Sequence, residues 1–319
     1  MERTKSAVMQ LLAPAKINLH LRVGPARADG FHPLLSWMCT VGLFDTLEFD
    51  YAQNIGTPDT PAHVRLVCDD PNLPTDERNL VVRVTSSWGR RVYELEKMRV
   101  RPLCASLGKK IPAGAGLGGG SSDGASALRA VNGLWETGAN DLELAEFAGQ
   151  FGSDLPFFFH GPSSICSGRG EIVEPIARPR PKWAMLVLPG IMMPTPEVYR
   201  RFDELKLGRD ENVKKMPAWN AWNQLSAADL LPMLINDLEA PAFSISKRLR
   251  ELREAVERGV QRIVRMSGSG SSLFTIFDDR NEAEAAARKI NKDLPVRALA
   301  VELAPDVEDD SSNALSTGL

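Results

Sequence analysis

Cysteine is scarce: Cys39, Cys68, Cys104 and Cys166 are the only four in 319 residues. They are scattered and form no C-x-x-C pair, which excludes a disulfide framework and a thiolate zinc site. They read as reduced, mostly buried thiols. Histidine is equally rare, and His20, His32, His63 and His160 lack metal-ligand spacing, so no transition-metal site is expected. No apolar run reaches 18 residues, so no membrane span is expected. The net charge is only −3 and no basic block occurs, so neither a nucleic acid nor a membrane surface is expected as a partner. The N-terminal segment has a short apolar patch without a convincing cleavage site, which reads as cytoplasmic. With 43% apolar and 25% charged residues, the chain has the composition of a soluble globular protein long enough for two domains.

Glycine, by contrast, is concentrated. The segment Pro112, Ala113, Gly114, Ala115, Gly116, Leu117, Gly118, Gly119, Gly120, Ser121 and Ser122 holds five glycines within seven residues. Such a loop lets backbone approach a ligand closely. Where it runs into a helix, it aims unpaired N–H groups and the positive end of the helix dipole at one point, which makes a phosphate cradle. A Walker A loop would need Gly-Lys-Ser/Thr at its end, and no lysine follows Gly120. The pattern G-x-G-x-x-G occurs at Gly114, Gly116 and Gly119, but a dinucleotide site would also need a βαβ unit with an acidic residue closing the next strand. Residues 131–141 look instead like a helix end and a turn. A flexible linker is the remaining alternative. Against it, Ala125, Leu128, Val131 and Leu134 share one helical face directly after the loop.

Along the chain, Ile17, Leu19, Leu21 and Val23 alternate with Asn18, His20 and Arg22, which predicts a half-buried strand over residues 16–24. Strands are also expected at 37–49, 62–68 and 97–104. Residues 141–151 suit a helix capped by Asp141. A hairpin follows over 165–176. Three prolines and three charges over 175–182 mark the preferred boundary, giving domains at 1–178 and 179–305. A buried strand is expected after that boundary, then helices at 195–205, 226–237 and 243–258. A strand–turn–strand unit should span 262–277, before a last helix and strand. The acidic tail from Asp306, residues 306–319, is expected to be disordered. Strands and helices mix without regular βαβ alternation, which favours an α+β fold. Residues 205–226 are polar and read as a mobile surface loop or a lid.

Several ordered segments carry a family resemblance. The glycine loop and the helix after it resemble the ATP-binding signature of the GHMP kinases, a superfamily that includes galactokinase and the homoserine, mevalonate and phosphomevalonate kinases. Residues 13–23, opening Ala-Pro-Ala-Lys16, resemble their first motif. Residues 265–274, with Gly268, Ser269, Gly270 and Ser271, resemble their third. The segments at 14–21, 28–34 and 152–159 are similar to those of the branch that phosphorylates a CDP-linked methylerythritol in non-mevalonate isoprenoid synthesis. The resemblance runs from about Leu12 to Leu303. It implies a two-domain α+β GHMP kinase fold, with an N-terminal unit like ribosomal protein S5 domain 2 and a ferredoxin-like C-terminal unit. It also implies ATP and Mg²⁺ as cofactors and a small-molecule acceptor phosphorylated on its 2-hydroxyl. The alternatives are a homoserine- or mevalonate-type kinase of the same superfamily, or a non-catalytic nucleotide-binding relative. The sequence leaves monomer and homodimer open.

Phosphoryl transfer needs neutralised phosphates, in-line positioning and a group that takes the hydroxyl proton. One of Ser121 and Ser122 is expected to cap the helix, the other to touch phosphate or metal. No carboxylate stands out as a metal ligand. Asp154 sits beside Pro156, Phe157, Phe158 and Phe159, where an aspartate is as often a turn or cap residue as a catalytic one. The resemblance makes it the general base. Lys16 is then its natural partner, able to stabilise charge developing on the acceptor oxygen and phosphoryl group. Asn18 shares a strand face with Lys16 and could hydrogen-bond the acceptor. The resemblance carries His32 over as a base-reading residue, though a loop histidine is commonly only structural. Phe31 stands where the family commonly has tyrosine, so stacking on the base survives and a hydroxyl contact is lost. Thr195 and Tyr199 match the family's substrate segment in the second domain. Tyr199 is either one side of a cytosine sandwich or a half-buried core aromatic.

Overall fold

The computed structural model describes residues 9–52 and 64–308. His63, the first two positions of the 62–68 strand and residues 309–319 of the acidic tail lie outside them. Among the described residues, ten strands fall into two sheets. The first sheet holds β1 (Met9–Val23), β2 (Leu34–Tyr51), β3 (Val64–Cys68), β4 (Leu103–Gly108), β5 (Ser163–Ser167) and β6 (Ile172–Pro175). Its order is β3-β4-β2-β5-β6, with β1 antiparallel to β2 and β3 parallel to β4. The second sheet holds β7 (Trp183–Leu188), β8 (Arg265–Met266), β9 (Leu273–Phe277) and β10 (Arg297–Glu302), in the order β10-β7-β9-β8. Its chain order is strand, helices, two strands, helix, strand, the split-βαβ arrangement of ferredoxin-like units.

Three helices cover one face of the first sheet: α1 (Leu80–Glu96), α2 (Gly119–Leu134) and α3 (Asp141–Ala148). Leu47, Phe49, Trp88, Leu128 and Phe157 fill the core between them. In the second half lie α4 (Thr195–Glu204), α5 (Asp210–Lys214), α6 (Trp219–Trp222), α7 (Ala227–Leu230), α8 (Glu239–Ile245), α9 (Lys247–Val260) and α10 (Arg280–Asp293). Met185, Val187, Phe202, Leu249 and Ile290 form their core. A third cluster joins the halves: Ile17, Leu19, Trp37 and Val41 pack on Leu186, Phe274 and Ile276. From Ala15 to Leu21, β1 is therefore buried on both faces, and its polar residues are held inside the molecule. Among the described residues no helix is long and apolar enough to cross a membrane.

Several boundaries differ from the sequence reading. Helix α1 has no counterpart in it, because its opening Leu-Val-Val-Arg-Val is β-branched. Val81, Val84, Trp88 and Val92 nonetheless share its buried face, and Asn79 caps it by accepting from the Val81 N–H. The strand expected over 97–104 begins at Leu103, since α1 ends at a left-handed Lys97. Helix α3 is capped by Asn140, not Asp141, and Glu143 closes the capping box. The helix expected over 226–237 breaks after α7 and a 3₁₀ turn at Leu231–Met233, because Asn236 leaves to bridge Leu21. The helix expected over 243–258 is two helices, and Ser246 ends α8 and caps α9. Asp306 is ordered and pairs with Arg178. Part of the 205–226 segment is anchored: Trp219 is buried, with its ring 5.9 Å from Trp37 and 5.7 Å from His20.

Candidate active site

A cavity of about 500 Å³ opens where the two halves meet. The glycine loop forms one wall, and the polar face of β1, the start of α4 and the 268–269 turn supply others. The loop is fixed by its neighbours. The Lys16 N–H donates to the Leu117 carbonyl at 2.8 Å, and the Ser267 hydroxyl donates to the Gly116 carbonyl at 2.9 Å. At Gly116 (φ 77°) a side chain is impossible, since a Cβ would lie 2.3 Å from the Ser267 carbonyl oxygen. At Gly118 (φ 67°) a Cβ would lie 2.9 Å from Lys16 Cγ. The loop thus lies flush against both the first strand and the third-motif loop. The Asn236 amide holds the latter, donating to the Met266 and Gly268 carbonyls at 2.8 Å each.

Left-handed Gly118 is the N-cap of α2, and it makes no side-chain capping bond. The helix therefore starts before the serines, and neither Ser121 nor Ser122 caps it, contrary to expectation. Ser121 lines the cavity. Ser122 is buried, and its hydroxyl has no partner among the described residues.

Lys16 Nζ lies 3.3 Å from Asp154 Oδ2 and donates to Asn18 Oδ1 at 2.8 Å. Both line the cavity, and with the lysine side chain 5% exposed and the aspartate 34%, the carboxylate is the more open member of the pair. The Asn18 amide nitrogen donates to Ser36 Oγ at 2.8 Å. Asn18 is thus engaged on both sides and acts as a bracket for Lys16, although it still lines the cavity. Asp154 precedes a 3₁₀ turn whose residues Pro156, Phe157, Phe158 and Phe159 are all buried. Arg129, which no sequence motif singles out, ties that turn to α2. It donates to the Phe158 carbonyl at 2.9 Å and pairs with Asp141 at 2.8 Å.

The structure splits the remaining expected residues between two neighbourhoods. Thr195 and Tyr199 line the cavity, and Thr195 Oγ1 lies 2.8 Å from Ser269 Oγ. Burial, with the Asp154 charge adding, pushes the Tyr199 phenol up to about 12, so it stays protonated. His32 and Phe31 lie just beyond the cavity lining. The His32 ring packs 5.0 Å from Tyr199, and its Nε2 lies 2.9 Å from Asp203 Oδ1. Phe31 is half exposed, with the Arg169 guanidinium 4.9 Å from its ring centroid. Arg169 is a cavity residue that sequence reasoning misses, and its Gly-Arg-Gly turn is the available signal.

A buried ionic cluster also escapes the sequence pattern. Lys109 Nζ lies 2.5 Å from Asp45 and 2.7 Å from Asp123. Burial opposes the lysine's charge, but the two carboxylates outweigh it and raise its pKa. Burial also raises the Asp123 carboxyl. Asp45 further accepts from the Lys110 and Ile111 N–H groups, which pins the strand end leading into the loop. No group of three or more His, Cys, Asp or Glu suited to a metal occurs among the described residues.

Comparison with known proteins agrees with this architecture. Residues 79–162 match the GHMP kinases N terminal domain, and residues 203–296 match the GHMP kinases C terminal domain. The 4-diphosphocytidyl-2-C-methyl-D-erythritol kinase of Desulfotalea psychrophila is 36% identical over 285 residues, covering 89% of each chain. The chloroplastic enzyme of that name from Arabidopsis thaliana is 36% identical over 273 residues, covering 84% of this chain and 67% of its own. A crystal structure of 4-(cytidine 5'-diphospho)-2C-methyl-D-erythritol kinase superposes with a TM-score of 0.73 at 31% identity, over 93% of this chain and all of the other. A homoserine kinase from Cytophaga hutchinsonii superposes at 0.67 with 15% identity, over 97% and 99% of the two chains, a likeness of fold alone. The chain belongs to the GHMP kinases and, among them, to the 4-diphosphocytidyl-2-C-methyl-D-erythritol kinase family.

Proposed function

We propose that the protein transfers the γ-phosphoryl group of ATP to the 2-hydroxyl of 4-diphosphocytidyl-2-C-methyl-D-erythritol, a step of non-mevalonate isoprenoid synthesis. The observation that carries this reading is the Lys16–Asp154 pair, 3.3 Å apart, in the same cavity as the glycine loop. Asp154 takes the proton of the attacking hydroxyl. Lys16, steadied by Asn18, stabilises the charge that develops on the acceptor oxygen and the transferred group. Backbone N–H groups from Gly114 to Ser121 and the start of α2 hold the nucleotide phosphates. Mg²⁺ suits such a site with few protein ligands, because it is commonly shared between phosphates, water and one or two protein oxygens. The Ser121 hydroxyl would hold it, leaving Asp154 free to act as the base, and it would neutralise phosphate charge.

The cytidyl end of the acceptor is assigned to Phe31, His32 and Tyr199. With Nε2 engaged by Asp203, His32 keeps Nδ1 for the base, and Phe31 and Tyr199 offer ring faces. Mevalonate and homoserine carry nothing for these rings to stack on. We place the boundary between nucleotide and acceptor domains at 178/179, between the two sheets.

A coupled assay of ADP release with the CDP-linked alcohol, mevalonate and homoserine tests the reading. Turnover is expected with the first alone, and Asp154→Asn should cut kcat by about 10²–10⁴. Turnover of mevalonate or homoserine in its place refutes the acceptor. Wild-type rates in Asp154→Asn refute the mechanism.

A further inference from the structure

The cations of the cavity are not equally occupied. Among the described residues, four basic side chains line it: Lys16, Arg78, Lys109 and Arg169. Lys16 is bound by Asp154 and Asn18, and Lys109 by Asp45 and Asp123. Arg78 forms a two-pronged pair with Asp76, with Nε at 2.9 Å and Nη2 at 2.8 Å. Arg169 differs. Its closest carboxylate, Glu171, stands 3.7 Å from Nε, beyond hydrogen-bond reach. Glu171 is itself engaged by the backbone N–H of Arg169 at 2.5 Å. The guanidinium thus makes no hydrogen bond to a described residue; its partners are the loosely placed Glu171 carboxylate and the face of Phe31.

The turn that carries Arg169 is tied to β2. Gly168 and Gly170 flank it at φ 72° and 117°, and the Gly168 carbonyl accepts from the Leu34 N–H at 2.8 Å. On its other side, Gly170 packs on the residues that present the base: a Cβ there would lie 3.5 Å from Ser153 Cβ and 3.9 Å from Asp154 Oδ1. One end of the turn therefore touches the Asp154 segment, and the arginine reaches over Phe31. An acceptor whose base lies at Phe31 and whose hydroxyl lies at Asp154 must pass its two linking phosphates between them.

The geometry points to Arg169 as the residue that grips the diphosphate of the acceptor, an inference that rests on the acceptor proposed above. A guanidinium presents parallel N–H donors that match a pair of phosphate oxygens, and it can do so while stacked on an aromatic ring. Arg169 is then a specificity residue: it selects a nucleoside-diphosphate-linked alcohol over a bare one.

Calorimetric binding of cytidine, CDP and ADP to the wild type, Arg169→Gln and Arg169→Lys tests this. Losing a charge-assisted contact to phosphate should weaken CDP about ten- to a hundredfold in Arg169→Gln. Cytidine and ADP should change by less than about twofold, within the range of weak surface effects. Arg169→Lys, which keeps the charge and loses the fork, should fall between. An unchanged CDP affinity overturns the proposal. Equal losses for cytidine and CDP overturn it as well, because Arg169 would then act only through Phe31. A loss for ADP equal to that for CDP would assign the arginine to the ATP phosphates. A wild type that binds neither cytidine nor CDP, yet binds ADP, refutes the cytidyl acceptor itself, an outcome separate from the others.

Discussion

Alanine at Gly118 should damage catalysis in a way that alanine at Gly114 does not. Both glycines are left-handed, at φ 67° and 65°. Any L-residue there costs about 1–2 kcal/mol of backbone strain. At Gly114 that is the whole effect, since a Cβ would meet nothing within 4 Å. At Gly118 the Cβ would lie 2.9 Å from Lys16 Cγ, 3.0 Å from Lys16 Cε and 3.3 Å from Phe158 Cζ. Lys16 is only 5% exposed, and the open direction left to it is the cavity. Its ammonium must leave the 3.3 Å contact with Asp154 and the 2.8 Å contact with Asn18. A displacement of about 1 Å at a catalytic group costs on the order of a hundredfold in rate. Steady-state kinetics with varied ATP and acceptor should therefore give Gly114→Ala a loss of about tenfold in kcat/KM for ATP, from strain alone. Gly118→Ala should show a further drop of about a hundredfold in kcat. Equal kcat values for the two variants would refute the claim that the loop positions the lysine.

Two further outcomes concern stability. Lys109→Met leaves Asp45 and Asp123 buried together without their cation, which should cost about 3–5 kcal/mol and lower the melting midpoint by on the order of 10 °C. Adding Asp123→Asn should recover part of it, and an unchanged midpoint in Lys109→Met would show that the cluster is not structural. His20 is pushed down to about 4 by burial, with the Arg22 and Arg265 charges adding, so it is neutral in the folded protein. The unfolded chain takes up that proton at about 6.5, so this contribution is complete above pH 6.5 and is lost as pH falls towards 4, by up to about 3 kcal/mol. Urea titrations should show stability falling across that window, with a flatter slope in His20→Asn; equal slopes would contradict the assignment.

What is legible in the sequence is local. The glycine cradle is contiguous, and the alternation of β1 by itself puts Lys16 and Asn18 on one face. What stays hidden depends on distance. Asp45, Lys109 and Asp123 come from β2, the end of β4 and α2, at separations of 64 and 14 residues, and no local pattern links them. Arg129 looks like one more polar position on a helix, because its partners lie 12 and 29 residues away. The cap of α3 is open to reading, since Asn140 and Glu143 form the capping-box spacing and Asp141 only neighbours it. The serines after the glycine loop mislead for a different reason. A left-handed glycine can end the loop and cap the helix by itself, so α2 begins two residues before Ser121.

The missing lysine after Gly120 rules out one kind of phosphate loop, and the placement of Lys109 gives that absence a physical meaning. Its ammonium is close to the loop, 3.4 Å from where a Cβ of Gly119 would stand. Yet two carboxylates hold it on short contacts, and its charge is spent on fixing the strand that leads into the cradle. Lys16 approaches the same loop from β1 with a single carboxylate, which opens on the cavity. Of these two ammonium groups beside the loop, Lys16 is the one able to respond to charge that appears during transfer. On the mechanism proposed above, the phosphates are then left to backbone N–H groups and to the Mg²⁺ that accompanies the nucleotide. Five glycines in seven residues serve that end, because only a chain stripped of side chains can turn so many N–H groups towards one ligand and still let a lysine lie against it.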